Sequence, residues 1–146
     1  MSEIIYPSYE QAVGVHEKTV TAAGGGVSGV LNSNQLKSVL QSIQDDAYYP
    51  SIEDKLTHVF FGVCKFHCFR DGNKRTAIAL TSYMLLLNGY MYCSSNFIRK
   101  MENISFHVAA GHIDKELLKE IIAASIEGRD DDEEIKLKIL SAIQPC

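Results

Sequence analysis

The stretch His67-Cys68-Phe69-Arg70-Asp71-Gly72-Asn73-Lys74-Arg75-Thr76 leads directly into the longest apolar run of the chain. It brings together a proton acceptor, a carboxylate, a glycine, an amide and two consecutive cations. Backbone N–H groups at a helix N-terminus attract anions, and a glycine lets an anion approach the backbone closely. Lys74 and Arg75 would occupy the first turn of the following helix, where cations are unfavourable unless an anion compensates their charge. The stretch therefore predicts a phosphate-binding turn at a helix start, with a nucleotide as its ligand.

Apolar residues on both sides of this turn follow a helical repeat. Before the turn, apolar residues at spacings of three and four form one helical face: Ile52, Leu56, Val59, Phe60, Val63 and Phe66. After the turn, residues 76–87 are apolar nearly all round and end at Asn88-Gly89, a pair that stops helices. We therefore expect the turn to join a helix with one core-facing side to a helix in the centre of a bundle.

Helix-start and helix-stop residues divide the rest of the chain in the same way. Further helices are predicted over about 9–23, 33–44, 95–110, 115–126 and 135–143. Residues 45–50 lack helical periodicity and predict a short extended, flap-like connection, in which Tyr48 and Tyr49 are candidates for guiding a substrate. Tyr90-Met91-Tyr92 predicts a brief strand. The fold prediction is an all-α helical bundle with a short extended flap and a minor β element.

Composition narrows the class of protein. With 146 residues, of which 46% are hydrophobic, the chain can build one core without disulfides. Its net charge of −4 gives no broad attraction to nucleic acid or to an anionic membrane. The apolar run 77–87 is too short to span a bilayer. Because the four cysteines are irregularly spaced and the N-terminus does not read as a signal peptide, we expect reduced thiols and a cytoplasmic location.

The turn resembles the signature of the Fic/Doc family, His-x-Phe-x-(Asp/Glu)-(Gly/Ala)-Asn-(Gly/Lys)-Arg, at every specified position. Lys74 stands where the AMP-transferring Fic members have glycine, so the chain looks like the Doc (death-on-curing) toxin branch. The resemblance extends over roughly residues 6–90 through several further points: Tyr6-Pro7-Ser8-Tyr9-Glu10-Gln11-Ala12, His16, the glycine turn, Tyr49-Pro50 and Leu87-Asn88-Gly89-Tyr90. It implies a Fic-type domain over residues 1–128, followed by an acidic helical extension, 129–146, whose role is open.

The resemblance also implies a reaction, the transfer of a group from Mg²⁺–ATP to a protein hydroxyl. His67 would accept the proton of the attacking hydroxyl, and Asp71 would hold Mg²⁺. Gly72, Asn73, Lys74 and Arg75 would bind the nucleotide, with Asn73 and Arg75 also counted among the catalytic residues. Phe69 would point into the core and anchor the turn. In Doc proteins the γ-phosphoryl group is transferred and the enzyme is a kinase, whereas other Fic members transfer AMP.

Partners follow from the resemblance as well. Doc proteins are toxins restrained by a separate antitoxin, and their known target is a translation elongation factor. The self-inhibitory pattern of many Fic proteins, Ser/Thr-x-x-x-Glu-Gly, is not met, since Ala123 stands at the hydroxyl position before Glu127-Gly128. We therefore expect a target protein and an antitoxin as partners, without direct nucleic-acid or membrane binding, and with the oligomeric state open.

Several other interpretations remain for these residues. The domain could transfer AMP despite Lys74, or serve as a non-catalytic interaction module. Cys64, His67 and Cys68 could suggest a metal site, but three candidate ligands with no second cluster favour core cysteines. Residues 24–29 match G-x-G-x-x-G, yet they follow a predicted helix instead of a strand, which favours a plain loop. His16 belongs to the resemblance but receives no role.

Overall fold

The computed structural model describes residues 3–25, 29–129 and 132–144, and of residues 91–96 it describes the backbone. Seven α-helices form the regular secondary structure of this part of the chain, apart from one isolated β-bridge: α1 (Tyr9–Ala22), α2 (Ser33–Ser42), α3 (Ile52–Lys65), α4 (Asn73–Leu87), α5 (Met91–Ala109), α6 (Lys115–Glu127) and α7 (Glu133–Ile143). The predicted all-α helical bundle is therefore confirmed. None of the described helices is long and apolar enough to cross a membrane.

Side-chain caps set most of the helix starts. In α1 and α3 the capping serine accepts a hydrogen bond from the backbone three residues on, and the side chain at that position bonds back to the serine N–H. These pairs are Ser8 with Gln11 and Ser51 with Asp54. Asn32 caps α2 and Asp114 caps α6. The cap residues thus place the helices where the sequence predicts them.

Helix α4 lies in the centre of the bundle, as its apolar sequence predicts. It packs against α1, α3 and α5, and Leu80, Met84 and Leu85 are fully buried or nearly so. On α3, Leu56 and Phe60 are equally buried. The two helices that flank the histidine-containing turn are therefore fixed by the same core, which holds the turn between them in one place.

Two predicted extended segments are wrong. Tyr90 precedes α5, and residues 91 and 92 are already helical, because Gly89 at φ +85° reverses the chain so that α5 packs back on α4. Residues 45–50 form a turn and not an extended flap, since Tyr49 N donates to Asp45 O and Ala47 N donates to the Asp45 carboxylate.

The glycine turn after α1 and the C-terminal part of the chain are described only in part. Gly24 and Gly25 follow helix α1, as a plain loop would, whereas residues 26–28 lie outside the described part. Of the acidic run, 130 and 131 lie outside it too, and Asp132 caps α7 through Glu134 N. Helix α7 packs on α6 and buries Ile135. Cys146 and the side chain of Cys93 are not among the described groups.

Candidate functional site

Residues 67–75, here called the motif loop, connect the end of α3 to the first turn of α4. His67 has φ +49°, a left-handed conformation that is uncommon for a residue with a side chain. Gly72 has φ +72° and precedes α4 without a side-chain cap. The chain therefore reverses twice within the loop, and the reversal at His67 leaves its imidazole exposed at the surface.

Asn73 closes the loop through its side chain. Its Oδ1 accepts a hydrogen bond from Phe69 N at 3.0 Å, and its Nδ2 donates to Phe69 O at 3.0 Å. The family resemblance implies a nucleotide-binding and catalytic role for Asn73, but in the structure its side-chain amide is hydrogen-bonded to the backbone of Phe69. Both ends of the carboxamide thus serve the shape of the loop.

A second segment of the chain supports the loop from the side. Arg70 N donates to Gly29 O at 3.1 Å, and Cys68 O accepts from Leu31 N and Asn32 N at 2.9 and 3.1 Å. Val30 and Phe69 accordingly form an isolated antiparallel bridge, the β element of the described chain. This support could not be predicted from the sequence, because it depends on backbone atoms about forty positions apart.

The underside of the loop rests on helix α1. Phe69 is fully buried, as predicted, and its ring stacks on that of His16 with the centroids 3.9 Å apart. His16 Nδ1 shares a hydrogen bond with Thr76 Oγ1 at 2.9 Å. Burial lowers the pKa of His16, although the carboxylates of Glu17 and Asp71 act in the opposite direction. The ring is therefore neutral at neutral pH.

The outer face of the loop opens into a cavity of about 350 Å³, which we call the motif-loop cavity. It is lined largely by charged and polar residues: Cys64, Lys65, His67, Arg70, Asp71, Gly72, Asn73, Lys74 and Ala109. Most of the predicted site residues therefore meet at one cavity. Lys65 and Arg70 are additions that the motif could not reveal, because they occupy positions where it specifies no residue. Arg75 is exposed on α4 and is not among these lining residues.

The two cysteines near His67 are core residues. Burial raises the pKa of the Cys64 thiol to about 12 and that of Cys68 to about 11. Thiols with such values stay protonated at neutral pH and are poor nucleophiles and poor metal ligands. Within the described ranges, no group of three or more His, Cys, Asp or Glu residues is placed to hold a metal ion.

Asp71 nevertheless suits a magnesium ion carried by a nucleotide. Its side chain is exposed at the cavity, and Oδ1 accepts the Gly72 N–H at 2.8 Å. Mg²⁺ is commonly held by one or two carboxylates together with substrate phosphates. A single carboxylate beside the uncapped start of α4 fits that pattern, in which phosphate oxygens and water would supply the remaining ligands.

The two tyrosines of the predicted flap lie elsewhere. Tyr49 OH is 3.2 Å from His58 Nδ1 on α3, and Lys115 Nζ on α6 is 2.9 Å from the same nitrogen. Tyr48 is 80% exposed. Neither tyrosine is among the residues lining the motif-loop cavity. The structure thus makes Tyr49 an anchor of the turn and leaves Tyr48 at the surface.

Comparison with known proteins agrees with this geometry. The model of the Fic/DOC family matches residues 4–85, which is more than half of the chain and includes the whole motif loop. A search of curated proteins finds no match to the chain.

Proposed function

Because the chain belongs to the Fic/DOC family, we propose that it binds Mg²⁺–ATP at the motif loop and transfers a phosphoryl group to a hydroxyl of a target protein. The observation that carries the proposal is the common cavity of His67, Asp71, Gly72 and Lys74. A proton acceptor, a metal-binding carboxylate and an anion-binding helix start are the parts that such a transfer needs.

The backbone at the start of α4 would bind the phosphates. Gly72 lacks a side-chain cap, so the first N–H groups of α4 are available to an anion. Lys65, Arg70 and Lys74 surround the same cavity with positive charge. Three cations close together repel one another, and a polyphosphate relieves that repulsion while gaining charge-assisted hydrogen bonds. The cavity therefore favours a ligand with several negative charges.

His67 would act as the general base. Its imidazole is exposed at the rim of the cavity, where the hydroxyl of a protein substrate can reach it. The hydroxyl oxygen forms a bond to the γ-phosphorus while the bond from that phosphorus to the bridging oxygen breaks, so ADP leaves. The hydroxyl proton passes to the imidazole, and Mg²⁺ held by Asp71 would offset charge on the phosphates.

Lys74 supports phosphoryl transfer over AMP transfer, the second candidate. The side chain lines the cavity at the position where the AMP-transferring members resembled by this sequence have glycine. A lysine there occupies space and adds charge, which favours a different placement of the triphosphate. Both reactions would use the same base and the same metal-binding carboxylate.

Labelled ATP tests the proposal and separates the two reactions. We expect γ-phosphate label on a protein when the chain is incubated with Mg²⁺–ATP in a cell lysate, and we expect His67→Ala to abolish it. Label from the α-phosphate would select AMP transfer instead. Unchanged turnover by His67→Ala would refute the mechanism, and ATP binding without either label would favour an interaction module.

The biological setting proposed here is that of a Doc-type toxin with a separate antitoxin and a target in the translation machinery. It is supported by Lys74 and by Ala123, which stands where self-inhibited members carry a hydroxyl. Expression in bacterial cells should therefore arrest growth with the native chain but not with His67→Ala. Equal growth with both chains, at matched protein levels, would count against a toxin.

A further inference from the structure

His16, which the proposed reaction does not use, contacts Phe69 of the motif loop and Thr76 of α4, and it lies beside Gly72. Its ring stacks on Phe69 with an angle of 10° between the planes. Its Nδ1 is hydrogen-bonded to Thr76, and its Cε1 would lie 3.7 Å from a Cβ added at Gly72. Phe69 lies in the middle of the loop, Gly72 is the cap residue of α4, and Thr76 lies in the first turn of that helix. One side chain of α1 therefore holds both sides of the anion-binding turn.

Packing alone does not account for an imidazole at this position. The ring of His16 is fully buried, and within the described part of the chain its Nε2 has no hydrogen-bond partner. A buried polar atom without a partner costs about 1–3 kcal/mol, which a phenylalanine ring of similar shape would avoid. The group that distinguishes histidine from phenylalanine here is Nδ1, and its partner is the buried hydroxyl of Thr76.

We propose that His16 is a positioning residue, whose hydrogen bond with Thr76 fixes the start of α4 relative to Phe69. This contact would keep the first N–H groups of α4 and Lys74 aimed at the phosphates, and His67 in reach of the attacking hydroxyl. Displacements of about 1 Å at a reacting centre can cost about a hundredfold in rate, so a loosened helix start would be visible in catalysis. The kinetic part of the inference rests on the proposed function, whereas the structural part does not.

The double variant His16→Phe/Thr76→Val tests the proposal. It keeps a ring on Phe69 and a branched side chain in α4, and it removes both polar partners together, so neither is left buried and unpaired. The free energy of unfolding should therefore stay close to that of the native chain. The transfer rate at saturating ATP should nevertheless fall by at least about tenfold. The amide of Thr76, which donates to Gly72 O, should exchange about fivefold faster.

A variant with native stability, native transfer rate and native amide exchange would overturn the proposal, because His16 would then act by packing alone. If the double variant does not fold, Thr76→Val and Thr76→Ser decide instead. Thr76→Ser keeps the hydroxyl and should keep most of the transfer rate, whereas Thr76→Val should lose most of that rate. Equal transfer rates in the two variants would refute the positioning role of His16. If the native chain transfers neither label, the proposed function fails by itself, and amide exchange at Thr76 still decides the role of His16.

Discussion

Asn73 is the single residue on which the shape of the motif loop depends most, because both ends of its carboxamide bond the backbone of Phe69. Asn73→Ala removes both hydrogen bonds, and we expect the free energy of unfolding to fall by about 1–3 kcal/mol. ATP affinity should fall as well, since the loop is no longer closed. Denaturant unfolding and calorimetric ATP titration measure the two effects. Asn34→Ala, on an exposed position of α2, is the control, and native ATP affinity in Asn73→Ala would contradict the structural role.

At the scale of elements, His58 joins the 45–50 turn to α3 and α6 through Tyr49 and Lys115. Burial, and then the Lys115 ammonium, lower the pKa of His58 from its ordinary value of 6.5 to about 4. Because the folded chain binds a proton at His58 less readily than the unfolded chain does, the stability that this residue contributes should be fully present above pH 6.5. It should be lost as the pH falls towards 4. A pKa shift from 6.5 to about 4 corresponds to a loss of at most about 3 kcal/mol in the free energy of unfolding. The actual loss should be smaller, because the ring of His58 is only half-buried and solvent screens its charge.

Thermal unfolding between pH 7.5 and 4.5 measures this dependence. His58→Gln keeps a hydrogen-bonding side chain that does not titrate, so part of the decline should disappear. The dependence contributed by His16, whose pKa is also lowered by burial, should persist in that variant. An identical pH profile in both proteins would show that His58 is not the group concerned.

At the scale of the whole molecule, α7 lies outside the residues that form the cavity. Ile135 is its buried residue, while Leu137 and Leu140 are 63% and 55% exposed. We propose that residues 1–128 form the Fic-type domain and that a chain ending at Gly128 folds and binds ATP with native affinity. The melting temperature should drop by a few degrees, because the α6 surface beneath Ile135 becomes exposed. Loss of ATP binding in a folded truncation would place α7 in the functional unit.

Sequence patterns predict the helices well but the contacts of the loop only in part. The caps Ser8 and Ser51 act locally, so their helix starts can be predicted from neighbouring residues. The motif also predicts that His67, Asp71 and Lys74 lie at one cavity, because these residues are close together in the sequence. Tyrosines with strand propensity at positions 90 and 92 mislead, because tertiary packing of α5 overrides that preference.

Contacts between distant segments have no such local signal. The support of the motif loop by residues 29–32 uses backbone atoms, which any sequence supplies. The stack of His16 on Phe69 joins residues of α1 and the loop, and a lone histidine in a helix does not indicate its partner. Arg70 reaches the cavity from a position at which the motif specifies nothing. These features become visible only when the fold brings the segments together.

The closure of the motif loop by Asn73 and its backbone bonds to residues 29–32 have a consequence for the kinetics of ligand capture. A loop already held in shape in the free protein is preorganised, so a phosphate ligand meets its binding groups without first ordering the chain. Association should then be limited by diffusion and by electrostatic attraction to the cavity's cations, and it should slow as ionic strength rises. Differences in affinity among nucleotides would accordingly appear in their residence times.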